Sequence, residues 1–247
     1  MTDTSTGITP ASVVLALWND IEPQRSVEYE RWHTLEHVPE RVWVPGFRSG
    51  TRYEWLSGEG ARYFTLYEID SAAPLGSADY DALVQEPTPW SASMRPSFRN
   101  FLRRIYTLDA GVGVGVGVAL MVVRAVWDTQ HAVAPSQATF DAFAGALLRN
   151  GALCCAMHVR IGLATEAGPQ ALANVDDAPP GMERLFMLHT TNTSHLDQLK
   201  RVFDETLAAL PVPPRWQRQA TYRLASRVLH AEVTQPSRPA PRLDLMP

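Results

Sequence analysis

Residues 13–20 (VVLALWND) and residues 119–128 (ALMVVRAVWD) decide the fold, because the second stretch repeats the pattern of the first. Each is an apolar run of strand length that ends in a tryptophan and a polar turn. This pattern is typical of a buried β-strand. One copy lies in each half of the 247-residue chain, so an internal repeat is predicted.

The segments after the first strand alternate between helical and strand patterns. The predicted elements are a helix at 26–43, strands at 47–56 and 62–69, a short helix at 77–84 and a strand at 98–108. Pro45 and Gly46 end the first helix, and a Gly-rich turn joins the two middle strands. The order βαββαβ is that of the ferredoxin-like fold.

The second half repeats this order. Its predicted elements are strands at 119–128, 154–163, 184–190 and 217–229 and helices at 135–150 and 195–210. The polar segment 164–181 is predicted to be a long loop. The domain boundaries follow as a first repeat at 11–110, a junction at 111–118, a second repeat at 119–233 and a Pro-rich tail at 234–247. The tail is predicted to be disordered.

The junction alternates glycine and valine from Gly111 to Val118. A dinucleotide-binding loop needs the spacing G-x-G-x-x-G between a strand and a helix. Val116 stands where the third glycine should be, and no helix follows. The segment is therefore interpreted as a flexible link between the repeats.

Two four-stranded sheets, each with helices on one face, can cover each other's bare faces. The predicted fold class is therefore α+β, with two ferredoxin-like repeats in one chain forming a pseudo-dimeric α/β barrel. A small-molecule cavity is expected inside one or both halves, between sheet and helices.

Composition excludes several classes of partner and location. The net charge is −4 and the pI is about 6.0, which argues against a nucleic-acid partner. The adjacent Cys154 and Cys155 are predicted to lie on a strand, pointing to opposite faces, and two buried thiols fit a reducing compartment. No signal peptide and no membrane-length apolar run is recognised, so a cytoplasmic protein without a membrane partner is expected.

The densest functional pattern is residues 29–47, YERWHTLEHVPERVWVPGF. The spacing W-x-x-x-x-H-x-P, the following P-G-F and the pair Arg52-Tyr53 resemble the EthD-like branch of the dimeric α/β-barrel superfamily. Thr88-Pro89-Trp90 and residues 94–101 are also similar to members of that branch. The resemblance covers residues 13–106, whereas the second half matches in architecture only.

The resemblance implies a range of functions. The superfamily includes cofactor-free monooxygenases, polyketide cyclases, lactone isomerases, haem-binding enzymes and accessory proteins. Its sites are apolar cavities with one or two histidines and a few other polar side chains. By this resemblance the expected cavity residues are Asn19, His33, His37, Arg52, Tyr53, Tyr67 and Trp90.

His37 is the predicted catalytic residue, because histidine can take a proton from a phenol or enol near neutral pH and return it. Tyr53 and Tyr67 are predicted to assist by donating to an oxyanion. Asn19, His33, Arg52 and Trp90 are assigned to substrate binding. The alternative for His37 is a structural role at the helix end, and for Arg52 a pairing with Glu68.

Two other histidine patterns allow different interpretations. His33, Glu36 and His37 spell H-x-x-E-H, a zinc signature, but the surroundings match the barrel family instead. His158 and His189 lie on the two middle strands of the second half. They are interpreted as a satisfied core pair in preference to a second active site.

The predicted function is a cofactor-independent enzyme that acts on a small apolar, aromatic or polyketide-like molecule by histidine acid/base chemistry. No cofactor and no metal is expected. The alternative is a non-catalytic small-molecule-binding or accessory protein with the same cavity, and a haem protein ranks below both. The chain is expected to be a monomer with pseudo-two-fold symmetry or a homodimer.

Overall fold

The computed structural model describes residues 13–129, 134–165, 175–176, 178–233 and 235–247. In the first half the elements are β1 (Val13–Ile21), α1 (Ser26–Trp32), a π-helical segment (His33–His37), α2 (Val38–Trp43), β2 (Phe47–Gly58), β3 (Tyr63–Ile69), α3 (Ala78–Gln85), α4 (Pro89–Met94) and β4 (Phe98–Gly113). The second half contains β5 (Ala119–Trp127), α5 (Gln137–Asn150), β6 (Ala156–Thr165), β7 (Met182–Thr190), α6 (Leu196–Ala208) and β8 (Trp216–Leu229).

The eight strands form one closed barrel in the order β1-β3-β2-β8-β5-β7-β6-β4. All of their pairings are antiparallel. Within each half the first strand lies between the fourth and the third, so the ferredoxin-like order occurs twice. The halves meet at two seams, β2 with β8 and β4 with β6. The predicted α+β fold with an α/β barrel is confirmed.

Strand alternation divides the apolar side chains into separate layers. Inward-facing residues such as Val14, Phe64, Leu120 and Met187 fill the barrel. Outward-facing residues pack beneath the helices of their own half. Because side chains alternate between the two faces of a strand, neighbouring residues on β1 serve different layers. The expected cavity between sheet and helices therefore has an outer sheet face as its floor.

The first long helix is interrupted by the π-helical segment at its centre. The backbone N–H of Val38 bonds the carbonyl of His33, five residues back. Pro39 follows directly, and a proline ring in a regular helix clashes with the carbonyl four residues earlier. One wider turn relieves this clash. Both His33 and His37 belong to the widened turn, and such turns recur at functional sites.

The glycine–valine junction is predicted to be flexible along its whole length, but its first part belongs to a strand. Its first three residues continue β4, and Gly111 and Gly113 pair with Arg160 and His158 on β6. Gly113 has φ +86°, and a Cβ there would lie 2.2 Å from the carbonyl oxygen of Met157. Glycine is therefore required for β4 to approach β6 this closely.

The cysteines also differ from the expectation. Both precede β6: Cys154 ends a 3₁₀ turn, and Cys155 has left-handed backbone at φ 52°. Cys154 is buried, whereas Cys155 is exposed. The strand pattern was extended too far towards the N-terminus, because the apolar run of residues 152–157 contains this turn.

The Pro-rich tail was predicted to be disordered, and the structure corrects this for residues 235–247. Arg238 donates two hydrogen bonds to Glu40, at 2.6 and 2.9 Å, and the backbone N–H of Arg242 donates to Glu36 at 2.7 Å. Leu245 and Met246 pack against an aromatic cluster of the first half. The high proline content suggested disorder, but the tail is held by these contacts to the helices of the first half.

Most of the predicted loop at 164–181 lies outside the described residues. Within the described part of the chain, no helix is long and apolar enough to cross a membrane.

Candidate functional site

A cavity of about 90 Å³ lies between the first sheet and its helices. Leu17, Asn19, Thr65, Phe101 and Arg103 supply its sheet side. The helices and the segments that join them supply Trp32, His33, His37, Arg41, Tyr80, Val84, Ser91 and Arg95, and the first residue of β4 supplies Phe98. The cavity therefore lies where the sequence predicted one, with apolar walls and a concentrated set of basic side chains.

The sheet side follows from strand alternation. Leu17 and Asn19 on β1 face outward, whereas Trp18 between them packs inside the barrel. On β4, Phe101 and Arg103 face outward in the same way, while Leu102 faces inward. The floor of the cavity is therefore built by outward-facing residues of three neighbouring strands, β3, β1 and β4.

The two imidazoles lie one above the other on the widened helical turn. Their ring centroids are 5.1 Å apart, and the ring planes differ by 19°. Tyr29 stacks on the far side of His33 at 4.8 Å, and Trp32 packs against His37 at 4.5 Å. The buried Nδ1 atoms of both histidines have no hydrogen-bond partner. A buried polar atom without a partner costs free energy, so both histidines are available to a polar ligand.

Both histidines are held in the neutral form. Burial lowers the pKa of His33 well below its usual value, and the cationic Arg52 adds to the effect. Burial likewise lowers the pKa of His37, followed by the charges of Arg41 and Arg95. Neutral imidazoles accept protons, so the site presents two bases at physiological pH.

Three arginines lie around the same cavity. Arg41 is held by Glu40 at 3.2 Å and by the carbonyl oxygen of Leu83 at 3.3 Å. Arg95 donates to the carbonyl oxygen of Val84 at 2.8 Å. Arg103 is buried on β4. Desolvation lowers the pKa of Arg95, which still leaves a guanidinium protonated at neutral pH. Cationic groups beside neutral bases suit an anionic ligand or an anion that forms in the site.

Three of the seven predicted site residues line the cavity. His33 and His37 lie on the helix side, and Asn19 lies on the sheet side. The amide oxygen of Asn19 accepts a hydrogen bond from the Tyr29 hydroxyl at 3.1 Å. Asn19 is therefore held in position by the residue that stacks on His33.

The other four predicted residues do not line the cavity. Tyr53 faces the barrel interior and packs on Phe64, on the opposite side of the sheet from the histidines. Its strand contains a register shift between Phe47 and Ser49. The role of Tyr53 beside His37, which the family resemblance implied, is wrong in this geometry, because Tyr53 pairs with Phe64 and both side chains face the barrel interior.

Tyr67, Arg52 and Trp90 lie near the cavity and behind its wall. Tyr67 is buried in the apolar layer beneath α2, and its hydroxyl has no partner. Arg52 donates to Glu30 at 2.9 Å and to Thr34, so it pairs with neither a ligand nor Glu68. Trp90 donates to Glu28 at 3.0 Å. Their contacts support the helix that bears the histidines.

The zinc-like H-x-x-E-H pattern does not form a three-residue cluster. Glu36 accepts hydrogen bonds from the Thr88 hydroxyl at 2.6 Å and from the backbone of Arg242 at 2.7 Å. Among the described residues, no group of three or more His, Cys, Asp or Glu side chains is placed to hold a metal ion.

Haem does not fit the residues present at the histidines. A cavity of about 90 Å³ is well below the ~300 Å³ at which pockets for drug-sized ligands begin, and a porphyrin is larger still. The buried Arg41 and the aromatic Tyr80 and Phe98 occupy the adjacent space.

The second half places its histidines inside the barrel. His158 and His189 are cross-strand partners, with ring centroids 5.8 Å apart. His158 Nδ1 bonds the carbonyl oxygen of Gly115 at 2.9 Å, but His189 Nδ1 has no partner. The two histidines pair as expected. The expectation that both are fully hydrogen-bonded is not met, because His189 Nδ1 has no partner.

Sequence reasoning missed the arginines. Arg41 follows His37 by four residues, which places both on one helix face, and this spacing was the available signal. Arg95 and Arg103 come from separate elements, so only the tertiary structure brings them together.

No protein-family model matches the sequence, and no curated protein sequence matches it. Solved structures do match. An anthrone oxidase-like protein superposes with a TM-score of 0.61 over 92% of this chain and 96% of its own, at 9% identity. A candidate monooxygenase from Fusobacterium nucleatum gives 0.56 over 89% and 94%, at 8% identity. Another from Lactobacillus acidophilus gives 0.52 over 89% and 97%, at 9% identity.

The chain therefore has the fold of the dimeric α/β-barrel proteins along almost its whole length. Identities near one residue in ten show the shared fold alone.

Proposed function

We propose that the first half is the active site of a cofactor-independent enzyme that transfers a proton from a small phenolic or enolisable aromatic molecule to His37. The observation that supports this most directly is the pair of neutral imidazoles, with unpartnered Nδ1 atoms, in a cavity lined by three arginines. The resemblance to the EthD-like branch favours the same chemistry. Anthrone, the compound in the name of one structural neighbour, belongs to this substrate class.

The charges of the site suit this step. In the ligand-free protein, burial and the arginines oppose protonation of His37. When a substrate C–H or O–H gives its proton to His37, the imidazolium forms together with an enolate or phenolate. The new anion lies beside Arg41, Arg95 and Arg103 and offsets their effect on His37. The site therefore favours proton transfer from a substrate over proton uptake from water.

His33 and Asn19 have supporting roles in this proposal. His33 stacks on His37 and presents a second acceptor to a substrate hydroxyl. Asn19, fixed by Tyr29, presents its amide group on the sheet side. Substrate entry requires the cavity to widen, because about 90 Å³ accommodates only a few water molecules. Rotamer changes of Arg95, Phe98 and Phe101 on the wall would supply the room.

The experiment is hydrogen–deuterium exchange of anthrone in anaerobic D₂O buffer, followed by NMR at the methylene carbon. Exchange reports proton removal alone, whatever reaction follows the enolate. The wild-type protein should accelerate exchange over buffer, and His37→Gln should lower the catalysed rate by about 10²- to 10⁴-fold. Tyr53→Phe, on the other side of the sheet, is the matched control and should keep the rate.

Two results would count against this function. A His37→Gln protein with unchanged exchange would remove His37 from the reaction. Binding of anthrone without any accelerated exchange would instead favour a carrier or accessory protein with the same cavity. Admitting dioxygen to the active protein and measuring its consumption then separates an oxygenase from a cyclase or isomerase.

A further inference from the structure

A second, larger cavity opens at one end of the barrel, on the other face of β1 and β4. Its volume is about 450 Å³, within the ~300–1,000 Å³ range of small-molecule pockets. Trp18, Leu102, Val122 and Ala220 form its apolar wall, and Ala61 lies at its rim. Leu17 and Asn19 line the histidine cavity while Trp18 lines this one, so the sheet alone separates the two.

Two charged side chains beside this cavity, Arg124 and Asp20, already have hydrogen-bond partners. Arg124 donates to Glu183 at 2.7 Å and to Asp176 at 3.0 Å, and its guanidinium lies 5.6 Å from the Trp18 ring. Asp20 accepts from the backbone of Arg62 and from Asn100, both at 2.6 Å. Arg124 is thus paired with two carboxylates, and Asp20 is held by two neutral donors. An ionic ligand would have to disrupt these pairs, which disfavours it.

One buried polar group beside the cavity is not matched. Tyr222 is fully buried, and its hydroxyl makes no hydrogen bond of normal geometry, although the Trp18 side chain interacts with it. A Cβ built on Gly60, which lines the cavity, would lie 2.4 Å from this hydroxyl oxygen. The hydroxyl therefore lies directly behind Gly60, although it is not exposed on the cavity wall. A buried hydroxyl without a partner is costly, so a ligand atom that bonds it gains affinity.

We infer that this cavity at the barrel end is a second binding site, distinct from the histidine cavity, for an uncharged, flat aromatic molecule with a hydroxyl or carbonyl group. The ring lies against Trp18, Leu102 and Val122, and a small displacement of the turn at Gly60 lets the polar group bond the Tyr222 hydroxyl. Binding at this site needs neither His37 nor proton transfer, so a failure of the proposed reaction would not exclude it.

The test is isothermal titration calorimetry with 2-naphthol, which is uncharged at pH 7, and with 2-naphthoate, its charged analogue. The wild-type protein should bind 2-naphthol more tightly than 2-naphthoate. Tyr222→Phe, which removes only the hydroxyl, should weaken 2-naphthol binding by about 3- to 10-fold. Ala61→Trp, which fills the opening from the rim, should weaken it more than tenfold.

Two controls locate the binding. Tyr53→Phe removes another buried, unpartnered hydroxyl from the barrel interior and should leave the affinity unchanged. Val84→Phe narrows the histidine cavity and should also leave it unchanged. Loss of binding in Val84→Phe, equal losses in Tyr222→Phe and Tyr53→Phe, tighter binding of 2-naphthoate, or no binding of 2-naphthol would each overturn the assignment.

Discussion

The two halves share one strand order but fill the space between sheet and helices differently. In the second half this space is closed by aromatic side chains whose neighbouring ring centroids lie 5.4–6.2 Å apart: Trp127, Phe140, Phe143, Phe186 and Phe203. In the first half the corresponding space contains His33, His37, Arg41, Arg95 and Arg103 around a cavity.

The difference indicates a division of labour. Burial of apolar rings stabilises a fold, whereas burial of polar groups without partners costs free energy. The second half has the composition of a stable support, and it supplies the two seams that close the barrel. Between its sheet and helices, the first half buries two stacked histidines beside three arginines around a cavity, which packing alone does not explain. Polar groups of this kind concentrate where a protein binds or transforms a ligand.

The largest effect on stability is expected from a substitution that disrupts the aromatic core of the second half. Phe186 is fully buried on β7 and contacts four other aromatic rings of that core. Phe186→Ala should lower the free energy of unfolding by about 3–5 kcal/mol, measured by urea denaturation. His37→Leu in the first half should change it by less than ~1.5 kcal/mol or raise it, because an unpartnered polar ring is replaced by an apolar side chain. Equal losses in both variants would contradict the division of labour.

A smaller effect concerns the arginines of the first half. Arg95→Gln removes a cation beside His37 and should lower the rate of anthrone exchange by about 10²-fold, because one group that stabilises the forming enolate is lost. Arg99→Gln, an exposed arginine at the start of β4, is the matched control and should retain the rate. A normal rate in Arg95→Gln would remove this arginine from the proposed chemistry.

The smallest effect is the pH dependence of stability. The pKa values of His33 and His37 lie well below the ordinary 6.5 in the folded protein, so below about pH 6.5 the unfolded chain binds more protons than the folded one. Unfolding free energy should therefore fall as the pH is lowered from 7 to 5. Substituting both histidines with glutamine should reduce this fall.

Part of the pH effect should remain in that double variant, because burial also lowers the pKa of His189 and His158 in the barrel. Urea unfolding at pH 7 and pH 5 measures both contributions. An unchanged fall in the His33→Gln, His37→Gln protein would show that neither histidine is held neutral by folding.

The order of elements and the repeat could be predicted from apolar periodicity and from turn residues, since both are local properties of the sequence. The predicted helix at 26–43 coincides with α1, the π-helical segment and α2. Local spacing also predicted that His33 and His37 share one helix face, whereas the position of His37 beside a cavity came from the family resemblance of residues 29–47.

Contacts between distant elements could not be predicted in this way. Tyr53 and Tyr67 are predicted to share one role, but Tyr53 pairs with Phe64, three residues from Tyr67 on β3, so strand alternation places the two tyrosines on opposite faces of the sheet. Trp18 and Trp127 mark the repeat in the sequence, yet Trp18 faces the barrel interior and Trp127 faces the helices. Arg238 and Arg242 of the tail contact Glu40 and Glu36, which precede them by about two hundred residues in the sequence.

The most direct test of the central claim, that the first half is the reactive one, is anaerobic hydrogen–deuterium exchange of anthrone by three proteins: wild type, His37→Gln and His189→Gln. Thermal unfolding of each first shows that all are folded. The expected result is exchange at least 10²-fold slower in His37→Gln and near the wild-type rate in His189→Gln. Loss of exchange in His189→Gln together with a normal rate in His37→Gln would contradict the claim and place the reaction in the barrel interior.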